Sequence, residues 1–202
     1  MMRDILIGVS TLLTVISVVP YIIETIRRRT KPRIVSWFTW SLLTGIAAFA
    51  SWSDGQYPAA ILMASATIET LLVVAVGFRY GDRKFTRLDV LCQLGALLGL
   101  LAWRLFGSPE IAVIASVSVD FVGAVPTIVH SWKKPFEETW SAFALSALGC
   151  LATILATRNW QVTSVAYPLY IVTVNTALTG IIVLRLKHAV PPPAEPDVLR
   201  EL

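Results

Sequence analysis

The chain has 202 residues, 55% hydrophobic and 15% charged, with a formal net charge of +4. Its mean hydropathy of +0.69 lies outside the range of soluble globular domains, because a soluble core of this size cannot hide so much apolar surface. The pI near 9.3 comes from basic residues gathered in short polar segments, which read as membrane topology anchors rather than as a nucleic-acid surface.

A helix needs roughly 20 apolar residues to cross a bilayer core of about 30 Å. Seven segments qualify. The first, Ile5–Thr25, carries Pro20 late in its course. It begins like a secretion signal, but Pro20 and the basic loop after it recur further on, and no small-x-small cleavage pattern precedes them. The second, Ile34–Ser53, sets Trp37, Trp40, Ser41 and Thr44 on one side, with Trp52 towards its far end. The third, Tyr57–Phe78, contains Glu69 at mid-span, and the fourth, Leu88–Phe106, follows the polar stretch Arg79 to Asp89. The fifth, Ile111–Ser131, holds Asp120 and Pro126. Thr139–Ala156 is the sixth, and Val162–Leu184, with Asn175, Thr176 and Thr179, is the seventh.

Fourteen of the seventeen Lys and Arg residues fall on one side of this seven-span plan. Basic residues collect in cytoplasmic loops, so the amino terminus is expected outside and the carboxyl terminus in the cytoplasm. The Pro-rich tail from Pro191 cannot form a packed element.

Val19-Pro20, Lys31-Pro32 and Trp37 return as Val125-Pro126, Lys134-Pro135 and Trp140. The offset is 106 residues for the Val-Pro pair and 103 for the other two, so the second loop is three residues shorter. This internal duplication predicts an all-α integral membrane protein with two parallel three-helix repeats joined by a linker helix. The expected units are 1–78, a loop and linker helix over 79–110, a second repeat over 111–188 and a flexible tail over 189–202.

The three-one-three plan, with a proline late in the first helix of each unit and a basic loop after it, resembles the PQ-loop and SWEET-like (SemiSWEET-related) transporter superfamily, in an uncharacterised bacterial branch. Pro20 and Pro126 keep the proline of the PQ motif, followed by Tyr21 and Thr127 in place of glutamine. The resemblance implies alternating access between the two units, with Pro20 and Pro126 as hinges. It also implies a pocket asparagine in the third helix of each unit; Asn175 matches, and its counterpart at the 106-residue offset is Glu69. Trp52 resembles the pocket tryptophan of sugar carriers, and Asp120, six residues before Pro126, resembles the embedded aspartate of proton-driven relatives. Self-association into a homo-oligomer is open to such carriers, although one chain with both units completes a pathway alone.

Independently of that resemblance, Asp120 and Glu69 are ionisable groups at mid-span. Such groups face a cavity, pair, or carry function, because hydrocarbon disfavours their charge. Both are proton-coupling candidates, and Glu69 is also a substrate-binding candidate; the alternative is a hydrogen-bonded structural role through Ser116, Thr67 or Thr70. Asn175 and Thr179 could bind a polar ligand or bond between helices. Trp37, Trp132, Trp140 and Trp160 read as interfacial anchors. Cys92 and Cys150, without metal spacing, read as packing residues.

No nucleophile elbow, zinc-binding His-Glu-x-x-His or phosphate-binding glycine loop is present, and His130 and His188 form no ligand pair, so no enzyme activity, cofactor or metal is expected. A retinal photoreceptor needs a lysine within its last span, and Lys187 lies beyond it. The expected function is a facilitator or proton-coupled carrier for a small polar solute, a sugar, an amino acid or similar, in a bacterial inner membrane, with the lipid bilayer as its other partner. A seven-helix ligand-binding receptor, or an accessory membrane protein without transport, is the alternative.

Overall fold

A computed structural model of the chain describes residues 2–53, 57–82, 86–106, 109–157, 160 and 162–189. Over those residues the protein is all-helical. Seven α-helices run α1 Met2–Ile26, α2 Ile34–Ser53, α3 Tyr57–Tyr80, α4 Arg87–Phe106, α5 Pro109–Lys133, α6 Trp140–Ala156 and α7 Val162–His188, with a 3-10 turn at Pro135–Glu137. Hydropathy therefore places the segments well, and the helices overrun it only at polar ends. Pro109 opens α5 because a first-turn residue needs no N–H partner. At the other extreme, α7 runs through Arg185, Lys187 and His188, cations that suit the negative end of a helix dipole.

Pro20, Pro126 and Pro168 lie inside α1, α5 and α7, which continue through them. Each removes one backbone hydrogen bond and weakens its helix locally.

The packing follows the same order in both halves of the chain. α3 touches both α1 and α2, and α7 touches both α5 and α6, while α1 runs against α6 and α2 against α5. The fourth helix packs mainly on α5. Small residues permit a close crossing of α1 and α6: a Cβ on Gly149 of α6 would stand 2.9 Å from Thr14 Oγ1 of α1. Beside it Ser10 and Thr153 share a hydrogen bond of 2.5 Å. Close backbone approach with hydroxyl bonds is the way helices associate where water supplies no hydrophobic drive.

Many large apolar side chains point outward, around an interior that mixes apolar residues such as Val73, Phe143, Leu178 and Ile182 with polar ones. Along α1, Ile5, Leu12, Val15, Val19 and Ile23 point outward, whereas its buried residues are Tyr21 and Thr25. Leu94, Leu101 and Leu105 of α4, Leu148 and Leu155 of α6, and Leu169 and Leu184 of α7 are exposed likewise. Buried groups include Thr39, Ser41, Asp89, Asp120, Thr127 and Ser131. So much contiguous exposed apolar surface marks contact with a partner or lipid. Two of the helices among the described residues, Met2–Ile26 and the Val165–His188 part of α7, are long and apolar enough to cross a membrane.

Candidate functional site

A cavity of about 230 Å3 lies between the halves of the bundle. Every helix but α4 contributes to its lining among the described residues. α1 presents Thr14, Ser17 and Tyr21; α2 presents Trp37, Trp40 and Thr44; α3 adds Glu69 and Thr70. Across from them stand Asp120 of α5, Phe143 and Ser146 of α6, and Tyr167, Tyr170 and Asn175 of α7. The volume falls below the range of about 300–1,000 Å3 typical for drug-sized ligands, which points to a small solute.

Asp120 is 6% exposed and held from two sides. Trp40 Nε1 donates to Oδ1 at 2.9 Å and Tyr170 Oη to the same oxygen at 3.0 Å, while Tyr167 Oη donates to Oδ2 at 2.6 Å. An indole N–H can only donate, and phenols donate readily, so three neutral donors fit an acceptor-only carboxylate. The described bonds to Asp120 come from aromatic groups on α2 and α7; of the hydroxyls named as alternative partners, the Ser116 side chain lies outside the described residues. Tyr167 and Tyr170 are three apart on one helix and therefore share a face, a spacing visible in the sequence once Asp120 is known to oppose it.

Glu69 makes no hydrogen bond or ion pair among the described residues, although it lines the same cavity. Asn175, its counterpart in the duplication, donates from Nδ2 to Ser146 Oγ at 2.9 Å. Thr14 and Asp120 are also 106 residues apart, and both line the cavity. Family models, characterised proteins and solved structures return no match to this chain.

Thr179 sits elsewhere: it is not among the lining residues, and its hydroxyl donates back to the Asn175 carbonyl at 2.7 Å. The side chain of Trp52 lies outside the described residues. Trp132, Trp140 and Trp160 are exposed, as interfacial anchors require. Trp37 is not: it packs on Tyr21 with ring centroids 4.8 Å apart and donates to Tyr21 Oη at 3.2 Å. Cys150 is a free, half-buried thiol.

Below the cavity, at the end of the bundle carrying most of the basic residues, a charged cluster joins four loops and helix ends. Arg33 Nη2 contacts both oxygens of Asp89 at 2.6 Å, and Nη1 contacts Asp82 Oδ2 at 3.0 Å. Burial opposes the guanidinium's charge, but the two aspartates outweigh it and hold Arg33 above its usual range. His130 Nε2 stands 3.2 Å from Glu137 Oε2, and Lys31 and Lys134 reach the same carboxylate at 3.3 and 3.1 Å. Burial acts upward on Glu137, yet His130, Lys134 and Lys31 together hold it down to about 2.

The backbone pins the same region. Lys31 N donates to Glu137 O at 2.7 Å and Asp82 N to Pro32 O at 3.1 Å. Gly81 is required there, since a Cβ would stand 2.8 Å from Pro32 O. Thr30 and Thr139 share a short hydroxyl bond.

Glu138 links this cluster to the cavity. Its Oε2 accepts from Tyr21 Oη at 2.8 Å, and Tyr21 is fully buried. Burial pushes Glu138 up to about 8, against the lowering effect of the Tyr21 bond and with the neighbouring Glu137 charge adding to the rise. Sequence reading missed this cluster because its charged members are scattered between positions 31 and 138, and each looked like an isolated charge in a loop or at a span end.

Proposed function

We propose that the chain is a multi-pass membrane carrier that moves a small polar solute by alternating access between two three-helix units. The observation that carries this reading is an aromatic-lined cavity bearing two carboxylates, inside a helical bundle with many apolar side chains on its outer surface. Lipid would cover that outer surface, and the basic end would face the cytoplasm. The equivalent packing of α1–α3 and α5–α7 supports two units related by duplication, with α4 as the linker.

In this reading, the Arg33–Asp82–Asp89 and His130–Glu137 contacts close the cytoplasmic side, and Tyr21 with Trp37 forms the floor of the cavity. Opening that side means separating the halves where Lys31 meets Glu137. Pro20 and Pro126 lie one helical turn or more above these contacts, where a missing hydrogen bond lets the helix ends swing. Asp120 is the natural place for a coupling proton: in the absence of a neighbouring cation, taking up a proton cancels its charge and disturbs three hydrogen bonds at once. Such a change, worth kcal/mol, biases two nearly balanced conformations.

The test is uptake of a mixed panel of sugars, amino acids, nucleosides and amines into proteoliposomes, with and without a pH gradient. Asp120→Asn is expected to cut gradient-driven uptake by about a hundredfold, a loss of roughly 3 kcal/mol, while leaving the protein folded. Absence of flux for every compound, with monodisperse helical protein, would replace the carrier reading by a ligand-binding receptor or accessory subunit.

A further inference from the structure

Two carboxylates and six aromatic rings line the cavity, and no Lys, Arg or His joins them among the described residues. That composition is selective. A neutral sugar needs many donors and acceptors in fixed array, whereas most polar groups here are already spent: Thr44 bonds to its own helix, Ser146 accepts from Asn175, and Asp120 accepts three donors. An anionic solute would meet two like charges with no compensating base. Glu69 alone offers a carboxylate with no partner among the described residues.

A cation resolves that imbalance. A carboxylate in a low-dielectric interior is stabilised most by an opposite charge at contact distance. Aromatic faces add to the attraction, because the negative face of an indole or phenol ring draws a cation within about 6 Å. Trp37 and Trp40 meet edge to face at 5.1 Å between centroids, and Tyr167 and Tyr170 lie 6.0 Å apart, so rings approach the cavity from α2 and α7. A hard inorganic cation would instead need a shell of oxygen ligands. No group of three or more metal-binding side chains exists among the described residues.

We propose that the cavity binds a small organic ammonium ion, with Glu69 as its direct countercharge, Asp120, when ionised, as a second negative charge, and Trp40 and Tyr170 as walls facing the cation. This names the solute class of the carrier proposed above and rests on that reading only for the movement of the bound ion. Asp120 holds Trp40 and Tyr170 by hydrogen bonds, so it also orients the rings that meet the cation.

The full chain, purified in detergent, is titrated with choline chloride and with tetramethylammonium chloride while tryptophan emission is followed, since Trp37 and Trp40 form part of the wall. A saturable response is expected for both. Binding of 3,3-dimethyl-1-butanol, the uncharged shape analogue of choline, should be weaker by about tenfold or more, corresponding to the loss of one ionic or cation–π contact. Sodium chloride and sodium glutamate should give no saturable response. Glu69→Gln should weaken choline about tenfold and leave the alcohol unchanged. Tyr170→Leu, which removes the ring, should weaken choline about fivefold more than the alcohol; it serves as a second variant where Glu69→Gln proves unstable by its thermal midpoint, and equal weakening of both ligands overturns the proposal.

Equal affinity for choline and its neutral analogue overturns the proposal. So does an unchanged choline affinity in folded Glu69→Gln, saturation by sodium chloride alone, or no response of the folded protein to either ammonium ion. Proteoliposome flux separates the two readings: ammonium binding without movement removes the carrier and keeps the site, while sugar flux without ammonium binding keeps the carrier and removes the site.

Discussion

Asp89 meets a guanidinium at the basic end of the bundle; Asp120, at mid-depth, meets an indole and two phenols. Both are buried, at 0% and 6% exposure, yet their surroundings assign them different work. Asp89 is neutralised within the protein, by a two-oxygen contact with Arg33. Asp120 is hydrogen-bonded by neutral donors and meets no base among the described residues, and Glu69 beside the same cavity is not even hydrogen-bonded among them. A buried ion pair fixes a geometry, whereas a buried acid without a base leaves room for a proton or a cationic ligand. The contrast separates a latch from a receptive site.

Breaking one partner on each side tests that separation most strongly. Asp89→Ala leaves Arg33 buried without its main countercharge and should lower stability by about 3–5 kcal/mol. Asp120→Asn keeps the shape and removes a charge that nothing inside the protein needs, so its stability loss should stay within about 1–2 kcal/mol while function falls. Thermal unfolding of both variants in the same detergent makes the comparison. Equal destabilisation would mean that Asp120 is as structural as Asp89.

The pH dependence sharpens the latch itself, because the adjacent acids Glu137 and Glu138 respond in opposite directions. The ordinary value for both is 4.5. Glu138, pushed up to about 8, holds in the folded protein a proton that the unfolded chain has already released. Its contribution is complete below pH 4.5 and is lost as pH rises through about 8. Glu137, held down to about 2, contributes stability that is present above pH 4.5 and lost as pH falls through about 2. The thermal midpoint should therefore decline between about pH 4.5 and 8, and Glu138→Gln should flatten that decline. A slope that survives the substitution would move the effect to another group.

The smallest effect lies just beyond α1. Arg28 has φ of 60°, in the left-handed region, where it ends the helix as its N–H bonds to Thr25 O. Arg28→Gly removes a steric penalty and should raise stability by no more than about 1 kcal/mol, since the glycine's greater freedom in the unfolded chain offsets part of the gain. A net loss of stability instead, read from the same unfolding curves, would show that the Arg28 side chain over the Tyr80 ring, 5.7 Å from its centroid, contributes to the latch.

Much of the candidate site was legible before folding. Glu69, Asp120 and Asn175 stood out because a polar group within an apolar run is anomalous by itself, and all three line the cavity. Thr179 stood out for the same reason but spends its hydroxyl on its own helix, a bond available to any threonine and invisible to composition. The anchor reading of Trp37 failed because its position near the start of α2 matches an interface residue; only its contacts with Tyr21 show that it turns inward. Tyr167 and Tyr170 carried no signal alone, since aromatic residues near a span end have a ready explanation at the lipid boundary.

Sequence by itself determined the seven helices, the duplication and the depth of the three polar residues, because hydropathy, proline position and residue spacing are properties of a single segment. It also carried the apolar exterior that the helices display. The pairing of charges was decided only in three dimensions. Arg33 chooses Asp82 and Asp89, 49 and 56 positions away, and leaves Asp120 to neutral donors from α2 and α7. Coulombic and hydrogen-bond energies depend on separations of a few ångströms in space, and those are set by which faces of distant helices pack together.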